Sequence, residues 1–394
     1  MSDDPIVIVG MARTPMGGMM GDLGAVDAPT LGSIAIKSAI ERSGVNTDDI
    51  SETIMGCVLP GGLGQAPARQ ASRAAGIPDG KGATTINKVC GSGMKAMMQA
   101  NDALAAGSAD IVVAGGMESM TQAPHMLPSG RTGTKFGPAT MQDHMAFDGL
   151  TDAYAGTPMG NFAEMCAEKY QLTREAQDAY AIESLKRAKT AIESGAFEDE
   201  VTPVTISSRR GDTVVEHDEQ PMKAKLEKIP TLRPAFKKDG TITAANASSI
   251  SDGAAAVVMM RQSKADELGL KPIAMVKGHA SHAQDPEWFT TAPIPAMSSV
   301  MEKAGWTKDD VDLFEVNEAF AVVPMAVMQE LGIDHDKVNV NGGACALGHP
   351  IGASGTRICV TLMNALQKRG LKRGVAGICI GGGEGTAIAL EMLN

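Results

Sequence analysis

The residues best suited to chemistry in this 394-residue chain are two cysteines, a histidine and an asparagine. Cys90 stands in the segment Asn87-Lys88-Val89-Cys90-Gly91-Ser92-Gly93, just before apolar residues at helical spacing that end at Gly107. A cysteine at a helix N-terminus meets unpaired N–H groups and the positive end of the helix dipole, which favour thiolate over thiol. The pattern therefore makes Cys90 a candidate nucleophile, although a cysteine in such a place is more often a packing residue.

The partners that Cys90 would need lie far downstream. Asn317 follows a predicted strand over 313–316. His349 precedes a predicted helix, and Cys379 ends the last predicted core strand. Ligand groups in open α/β sheets collect at the carboxyl ends of strands and at nearby helix N-termini. The sequence therefore predicts that these side chains converge, with His349 as the base for the Cys90 thiol.

An internal repeat supplies the elements that would position these residues. The segment 38–50 aligns without gaps with the segment 299–311, and the two share a serine, a glutamate, a glycine and two aspartates. The similarity continues through the helices that begin near Ser92 and Ser354. Two copies of a strand–helix–strand–helix–strand unit predict two similar α/β halves related by pseudo-twofold symmetry. Each half is expected to place a mostly parallel sheet between helices.

The repeat divides the chain into three predicted parts. Residues 1–118 together with 250–271 form an N-terminal half, 272–394 form a C-terminal half, and 119–249 form an inserted loop or cap domain. Within the insert, one clear helix is predicted from about Thr173 to Ser194, and the charged stretch from Gly211 to Ile229 is predicted to be loop-like. Loops on a rigid scaffold commonly carry specificity, so the insert is the expected source of substrate contacts.

Composition narrows the class of protein. A net charge of −11 argues against a nucleic-acid-binding protein, which needs a basic surface. Six cysteines without a CxxC pair or a disulfide spacing indicate a reducing compartment. No apolar run reaches membrane-spanning length and no targeting segment precedes the first strand, so no membrane association and a cytoplasmic location are expected. Neither a metal-ligand spacing nor a G-x-G-x-x-G loop occurs, so neither a metal nor a dinucleotide is expected.

Five motifs together resemble the thiolase family over essentially the whole chain. They are Asn87-Lys88-Val89-Cys90-Gly91-Ser92-Gly93, Gly115-Gly116-Met117-Glu118-Ser119-Met120, Asn317-Glu318-Ala319-Phe320, Gly348-His349-Pro350-Ile351-Gly352 and Cys379-Ile380-Gly381-Gly382-Gly383. Within the family the chain is most similar to the short-chain members, the acetyl-CoA acetyltransferases. The resemblance implies a layered αβαβα fold, acyl-CoA thioesters as substrates, coenzyme A as substrate or product with no resident cofactor, and a homo-oligomer, either a tetramer or a dimer.

The resemblance also implies a role for each candidate residue in the reversible Claisen condensation of two acetyl-CoA molecules. Cys90 would attack an acyl thioester while His349 takes its proton, which gives an acyl-enzyme. Cys379 would act as general acid and base on the second acetyl-CoA. His349 and a water held by Asn317 would form one oxyanion hole, and the N–H groups of Cys90 and Gly381 would form the other.

The resemblance further assigns residues to the wall that contacts the acyl and pantetheine groups. They are Leu150, Met159, Phe236, Ser248, Phe289, Ala319 and Phe320. The chain departs from the family pattern where Pro158 replaces a histidine and Phe289 replaces a methionine, which leaves the acyl-chain length and the affinity for coenzyme A open. An arginine that the family uses near the nucleotide is also missing, and Lys223 or Lys225 would take its place.

Other functions share this framework. A 3-ketoacyl-CoA thiolase of β-oxidation would use the same four residues in a longer acyl slot. A non-catalytic acyl-CoA-binding scaffold would not need all four of them. A ketosynthase that acts on carrier-protein thioesters has the same fold, but the second cysteine at position 379 favours a thiolase.

Overall fold

The computed structural model describes residues 4–209 and 211–393. The strands are β1 (Ile6–Arg13), β2 (Gly17–Gly18), β3 (Glu52–Gly56), β4 (Gly82–Ile86), β5 (Ile111–Ser119), β6 (His125–Met126), β7 (Gln142–Asp143), β8 (Val204–Ser208), β9 (Gly211–Val215), β10 (Ser251–Arg261), β11 (Ala274–Ala283), β12 (Leu313–Val316), β13 (Arg373–Ile380) and β14 (Glu384–Met392). The α-helices are α1 (Ala28–Ser43), α2 (Pro67–Ala74), α3 (Ser92–Ala106), α4 (Met159–Lys169), α5 (Arg174–Glu193), α6 (Glu219–Lys223), α7 (Gln262–Glu267), α8 (Pro293–Ala304), α9 (Val322–Leu331), α10 (Ala344–Leu347) and α11 (Ser354–Arg369).

Strands from both halves of the chain form one hydrogen-bonded sheet in the order β12-β13-β14-β11-β1-β10-β5-β3-β4, and β2 pairs with β10 beside it. The halves join where β1 meets β11, at the residue pairs Val7–Met275 and Ile8–Ala274. Reading outward from this junction, β1, β10, β5 and β3 follow on one side, and β11, β14, β13 and β12 follow on the other. This matched order confirms the pseudo-twofold arrangement that the repeat predicts.

The prediction of a mostly parallel sheet is wrong. β3 runs parallel to β4 and β5, and β12 runs parallel to β13. The strands nearest the junction, β1, β10, β11 and β14, pair antiparallel with their neighbours. The reason lies in the connections, because β13 passes into β14 through a three-residue turn at 381–383, and only antiparallel strands can be joined by so short a turn.

Helices separate the two parts of the sheet into layers. α3 and α11 lie at the centre, where they pack on each other and on the inward faces of both halves. α1 and α2 cover the outer face of the first half, and α8 and α9 cover the outer face of the second. Successive residues of β10 alternate between these layers, as strand geometry requires, with Val257 in the central core and Val258 in the outer one. The predicted αβαβα layering is therefore confirmed.

The N-terminal ends of α3 and α11 meet at small residues. A Cβ atom on Gly93 would lie 2.9 Å from the backbone nitrogen of Thr356, and one on Gly355 would collide with the backbone nitrogen of Met94. Only glycine permits so close an approach of two helices. The segments that precede the two central helices are thereby brought to one place.

Gly56, at the end of β3, occupies the position in the first half that Asn317 occupies after β12 in the second. A Cβ atom there would lie 2.6 Å from the Ser92 Cβ and 2.7 Å from the Gly352 carbonyl oxygen. The first half therefore has no room for a side chain at this position.

Between β5 and β10 the chain leaves the sheet and forms the insert, which contains α4 to α6 and the strand pairs β6–β7 and β8–β9. The predicted helix over 173–194 is confirmed as α5, whose N-cap Thr173 accepts the Ala176 N–H through its hydroxyl oxygen. The stretch 211–229 is not the predicted loop, because it contains β9 and α6. Among residues 4–209 and 211–393, none of the helices combines the length and apolar composition that a membrane crossing requires.

Candidate active site

Cys90 lies on a strained turn two residues before α3. Val89 has a φ of +44°, which is rare for a β-branched residue and is held only where the surrounding structure enforces it. Ser92 closes the turn, because its hydroxyl donates to the Val89 carbonyl at 2.7 Å and accepts the Lys88 N–H at 2.8 Å. The turn places Cys90 at the N-terminal end of α3.

The Cys90 thiol is protonated at neutral pH. Burial raises its pKa to about 11, the N–H groups of Gly381 and of Cys90 itself oppose this, and the charge of Glu118 adds to it. Backbone N–H groups favour the thiolate, as the sequence predicts, but in the free protein desolvation outweighs them. A base must accept the proton when this sulfur attacks a substrate.

His349, from the opposite half, has the properties of such a base. Its Nδ1 lies 2.6 Å from the Ser354 hydroxyl oxygen, and that hydroxyl donates to the Pro350 carbonyl at 2.9 Å. The Ser354 oxygen must then accept the Nδ1–H, and this tautomer leaves the lone pair on Nε2. Burial lowers the pKa of His349 to about 3, and the positive charge of Arg357 acts in the same direction, so the imidazole is neutral.

Asn317 lies beside this ring. Its side-chain nitrogen is 3.4 Å from Nε2 of His349, and its backbone N–H donates to the Gly377 carbonyl at 2.9 Å. Its Oδ1 atom is buried and makes no hydrogen bond to the described residues. A buried amide oxygen without a partner is costly, so this atom is suited to bind a water molecule or a polar group of a substrate.

Cys379 is the last residue but one of β13 and lies next to Cys90. Burial raises its pKa well above the ordinary value, and the neighbouring Cys90 sulfur acts in the same direction. Two glycines in the left-handed region follow, Gly382 with φ +92° and Gly383 with φ +86°, and they let the chain reverse within three residues. The turn directs the Gly381 N–H at the Cys90 sulfur.

The structure thus gives two close pairs, Cys90 beside Cys379 and Asn317 beside His349, and Ile351 of the His349 loop packs in the same apolar cluster as Cys90. Cys90 comes from the first half, and His349, Asn317 and Cys379 come from the second. A thiol, a neutral imidazole with a free nitrogen, a second thiol and backbone N–H donors are the parts that acyl transfer through a thioester requires. The described residues hold no group of three or more His, Cys, Asp or Glu side chains arranged for a metal ion.

Two of the predicted wall residues pack near the segments that carry Cys90 and Cys379. Leu150 packs in an apolar cluster that also includes Cys90 and Ile351. Met159, at the start of α4, lies close enough to Gly381 that a Cβ atom there would be 3.7 Å from its terminal methyl group. The insert therefore contributes side chains beside the site.

The other wall residues form a separate group. The rings of Phe236 and Phe320 meet edge to face at 6.0 Å between centroids, and those of Phe289 and Phe320 meet at 6.4 Å. Phe289 and Phe320 are buried, whereas Phe236 is 37% exposed. The Ser248 N–H donates to the Ala319 carbonyl at 3.0 Å and joins the insert to the segment after β12.

A cavity of about 330 Å³ is lined by residues of α5, α6 and α10 and by Ser249, which follows Ser248 in the chain; none of the seven predicted wall residues lines it. Ser249 and Cys345 line its inner part, and the Ser249 carbonyl accepts the His349 N–H at 3.1 Å. Lys225 and Lys228 line its outer part and are exposed. The cavity therefore connects a positively charged rim to the loop that holds His349.

The two lysines predicted to meet a nucleotide both border this cavity, but they differ in their charge partners. Lys223 pairs with Asp22 and Glu219, which neutralise it. Lys225 makes no ion pair with the residues that the structure describes. Lys225 is therefore the better candidate of the two, and Lys228, which the sequence did not single out, stands beside it.

Sequence reasoning also missed Ser354, which sets the tautomer of His349. The repeat contains a signal for it, because Ser354 corresponds to Ser92. Each of the two serines closes a turn ahead of a central helix by donating to a carbonyl, that of Pro350 in one half and that of Val89 in the other.

The chain matches known proteins over almost its full length. The family model for the thiolase N-terminal domain matches residues 6–263, and that for the thiolase C-terminal domain matches residues 270–392. An acetyl-CoA acetyltransferase of Thiocystis violacea is 52% identical over 99% of this chain and 100% of its own length, and one of Chromobacterium violaceum is 51% identical over 98% and 99%. The crystal structure of the Bacillus anthracis acetyl-CoA acetyltransferase superposes with a TM-score of 0.96 at 40% identity over 99% of both chains. The chain belongs to the thiolase family.

Proposed function

We propose that this protein is an acyltransferase, an acetyl-CoA C-acetyltransferase that reversibly converts two acetyl-CoA molecules into acetoacetyl-CoA and coenzyme A. The proposal is supported by the pairing of Cys90 with Cys379 and of Asn317 with His349 at neighbouring loops, in a chain about half identical to proteins named acetyl-CoA acetyltransferase. A non-catalytic acyl-CoA-binding scaffold would not require a partly buried thiol next to a buried one, together with a neutral imidazole.

In the thiolysis direction the Cys90 sulfur attacks the 3-keto carbon of acetoacetyl-CoA, and its proton passes to Nε2 of His349. The bond between C2 and C3 then breaks, and the carbanion of the departing acetyl-CoA takes a proton from Cys379. An acetyl group remains on Cys90 and a thiolate remains at Cys379. The raised pKa of Cys379 keeps it in the protonated form that this step needs.

The second half of thiolysis restores the starting state. The sulfur of coenzyme A attacks the acetyl carbon, and the thiol proton of coenzyme A passes to the Cys379 thiolate. The Cys90 sulfur leaves and recovers its proton from His349. Condensation is the same sequence in reverse, so the same side chains serve both directions.

Two sets of donors stabilise the negative charge that develops on substrate oxygens. The N–H groups of Gly381 and Cys90 point to the reacting sulfur and would bind the oxygen of the group bonded to it. His349 and a water on Oδ1 of Asn317 would bind the enolate oxygen. Each donor of this kind contributes roughly 2.7–4 kcal/mol to lowering a barrier.

The cavity lined by Ser249 and Cys345 is the candidate site for the rest of the coenzyme. Lys225 and Lys228 at its rim are suited to the phosphate groups, and Ser249 at its inner end would meet the pantetheine as it approaches Cys90. Coenzyme A enters as a substrate, and the proposed steps use no resident cofactor. A reducing cytoplasm suits a site in which two neighbouring thiols must both stay free.

The chain length of the substrate is the feature that separates an acetyltransferase from a broad 3-ketoacyl-CoA thiolase. Phe289 is buried, and its ring contacts the rings of Phe320 and Phe162. A fixed aromatic ring of this size at the acyl wall leaves little room for a longer chain. We therefore favour the four-carbon substrate.

Rates of cleavage by free coenzyme A should be measured on acetoacetyl-CoA and on six- and eight-carbon 3-ketoacyl-CoAs. We expect kcat/KM to be at least about tenfold higher for the four-carbon substrate, since a hydrophobic pocket discriminates each methylene by roughly 10- to 200-fold. Phe289→Ala should narrow this ratio, whereas the control Phe197→Ala, which removes another buried ring, should leave it unchanged. Equal rates on substrates of all chain lengths would assign the protein to the β-oxidation class. If no thioester were cleaved, the non-catalytic acyl-CoA-binding scaffold would be the remaining function.

We also infer that the protein is a homo-oligomer, a tetramer or a dimer. Large apolar side chains of the insert are exposed, among them Phe136, which is fully exposed, and Tyr154, which is 80% exposed. β4 lies at the edge of the sheet with one side unpaired among the described strands. Light scattering after gel filtration should give two or four times the chain mass of 40.8 kDa. A monomer at micromolar concentration would contradict the inference.

A further inference from the structure

The Gly115–Met120 motif contains a buried carboxylate that the proposed reaction does not use. Glu118 lies on β5 with no exposed surface. Its Oε2 accepts the Val58 N–H at 3.0 Å and the Gly352 N–H at 2.8 Å, and its Oε1 accepts the Leu59 N–H at 3.1 Å. A buried carboxylate is retained at low cost only when hydrogen bonds of this kind satisfy it.

These donors come from both halves of the chain. Val58 and Leu59 follow β3 in the first half, whereas Gly352 belongs to the second. The Cys57 thiol adds a fourth, longer contact of 3.7 Å to Oε1. One side chain therefore holds together two loops that are almost 300 residues apart in sequence.

The loop that contains Gly352, in the second half, leads directly to the candidate base His349. Gly352 lies between His349 and Ser354, the residue whose hydroxyl fixes the His349 ring through Nδ1. The hydrogen bond from Gly352 to Glu118 therefore fixes the segment that orients the imidazole.

The loop that contains Val58 and Leu59, in the first half, is linked to the candidate nucleophile Cys90. The Val58 carbonyl accepts the Asn87 side-chain amide at 3.4 Å, and the Asn87 side-chain oxygen accepts the Val89 N–H at 2.9 Å. Val89 is the strained residue immediately before Cys90. A chain of hydrogen bonds thus runs from Glu118 through Val58 and Asn87 to the Cys90 turn.

We propose that Glu118 is a positioning residue, whose carboxylate holds the Cys90 turn and the His349 loop at the separation that proton transfer between them requires. The inference rests on the proposed acyl transfer and adds to it a residue that touches neither the substrate nor the reacting atoms.

The charge of Glu118 gives this role a measurable signature. Burial raises the pKa of Glu118 to about 7, although its N–H donors favour the charged form. The same charge raises the pKa of Cys90. The other ionisable groups around Cys90 are Cys379 and, in the proposed reaction, His349, while Cys57 faces Glu118 itself. Removing the charge should therefore lower the pKa of the Cys90 thiol, and loosening the loops should slow catalysis.

Two variants separate these effects. Glu118→Gln keeps the shape, removes the charge and places an NH₂ group against N–H donors, whereas Glu118→Asp keeps the charge but shortens the reach. Both should lower kcat for acetoacetyl-CoA cleavage by about 10- to 100-fold, because small misplacements of reacting groups cost that much. The pH midpoint for inactivation by iodoacetamide, which alkylates Cys90, should move to lower pH in the glutamine variant and stay in place in the aspartate variant.

Asp312→Asn is the matched control. Asp312 also accepts two backbone N–H groups, those of Lys372 and Arg373 at 2.9 and 2.8 Å, but it lies at the opposite end of β12 from the site. This variant should change neither kcat nor the alkylation midpoint.

The proposal requires both the loss of kcat and the shift of the midpoint. A folded Glu118→Gln protein with wild-type kcat, or one with reduced kcat and an unmoved midpoint, overturns it. If the glutamine variant does not fold, wild-type kcat in the aspartate variant overturns it and reduced kcat supports it. If the wild type cleaves no thioester, the proposed function fails, but alkylation still reports on Glu118 because it needs no turnover.

Discussion

Replacing Cys90 with alanine lowers kcat for acetoacetyl-CoA cleavage by more than about 10⁴-fold, the loss expected when a covalent nucleophile is removed and only binding and oxyanion donors remain. No other thiol can take over its place. Cys379 is buried as the last residue but one of β13, and the Gly381 N–H is directed at the Cys90 sulfur. The measurement is the initial rate with acetoacetyl-CoA and free coenzyme A, together with mass spectrometry of protein incubated with acetyl-CoA.

The wild type should gain one acetyl group on Cys90, and the alanine variant should gain none. Cys359→Ala is the control, because Cys359 is a buried cysteine in the core of α11. It should lower stability, as the loss of a buried side chain does, while kcat stays within about threefold of wild type. Rapid cleavage by the Cys90→Ala protein would show that the sulfur at position 90 is not the nucleophile.

Replacing Cys379 with alanine should separate the two halves of the reaction. Acetylation of Cys90 by acetyl-CoA should persist, because His349 and the N–H donors serve the attack, and a coenzyme A thiolate, unlike a carbanion, can leave without the proton that Cys379 otherwise gives it. Carbon–carbon bond formation and cleavage need the second thiol as acid and base, and they should fall by about 10²- to 10⁴-fold. Isotope exchange between coenzyme A and acetyl-CoA measures the first step, and acetoacetyl-CoA formation measures the whole reaction.

Cys166→Ala provides the matching control, because Cys166 is a buried thiol on α4 close enough to raise the pKa of Cys379. It should leave both rates within a few-fold of wild type. If Cys379→Ala abolished exchange as well as condensation, the second thiol would be needed for acylation, and the proposed division of labour would be wrong.

The internal repeat was sufficient to predict most of the fold. Two matched segments predicted two matched halves, and matched helix starts predicted that the residues ahead of α3 and α11 face each other. The parallel sheet was predicted wrongly because the repeat unit ends at β5 and β13. Nothing in that unit indicates how β10 and β14 return to the sheet.

Features that depend on burial or on distant contacts lay beyond sequence reasoning. The helix N-terminus at Cys90 is visible in the sequence, but the desolvation that keeps its thiol protonated depends on what covers it. Glu118 appears in a motif, yet its hydrogen bonds reach Val58 and Gly352, which lie 60 and 234 residues away. Such contacts follow from the assembled layers and not from local pattern.

The glycine at position 56 limits the number of acyl-transfer centres that one chain can hold. Its counterpart in the second half is Asn317, but a side chain at Gly56 would meet the Gly352 carbonyl and Ser92. The duplicated framework therefore supports one asymmetric centre and not two equivalent ones. We therefore expect each chain to be loaded with a single acyl equivalent, so that an assembly of such chains would carry as many acyl groups as it has protomers.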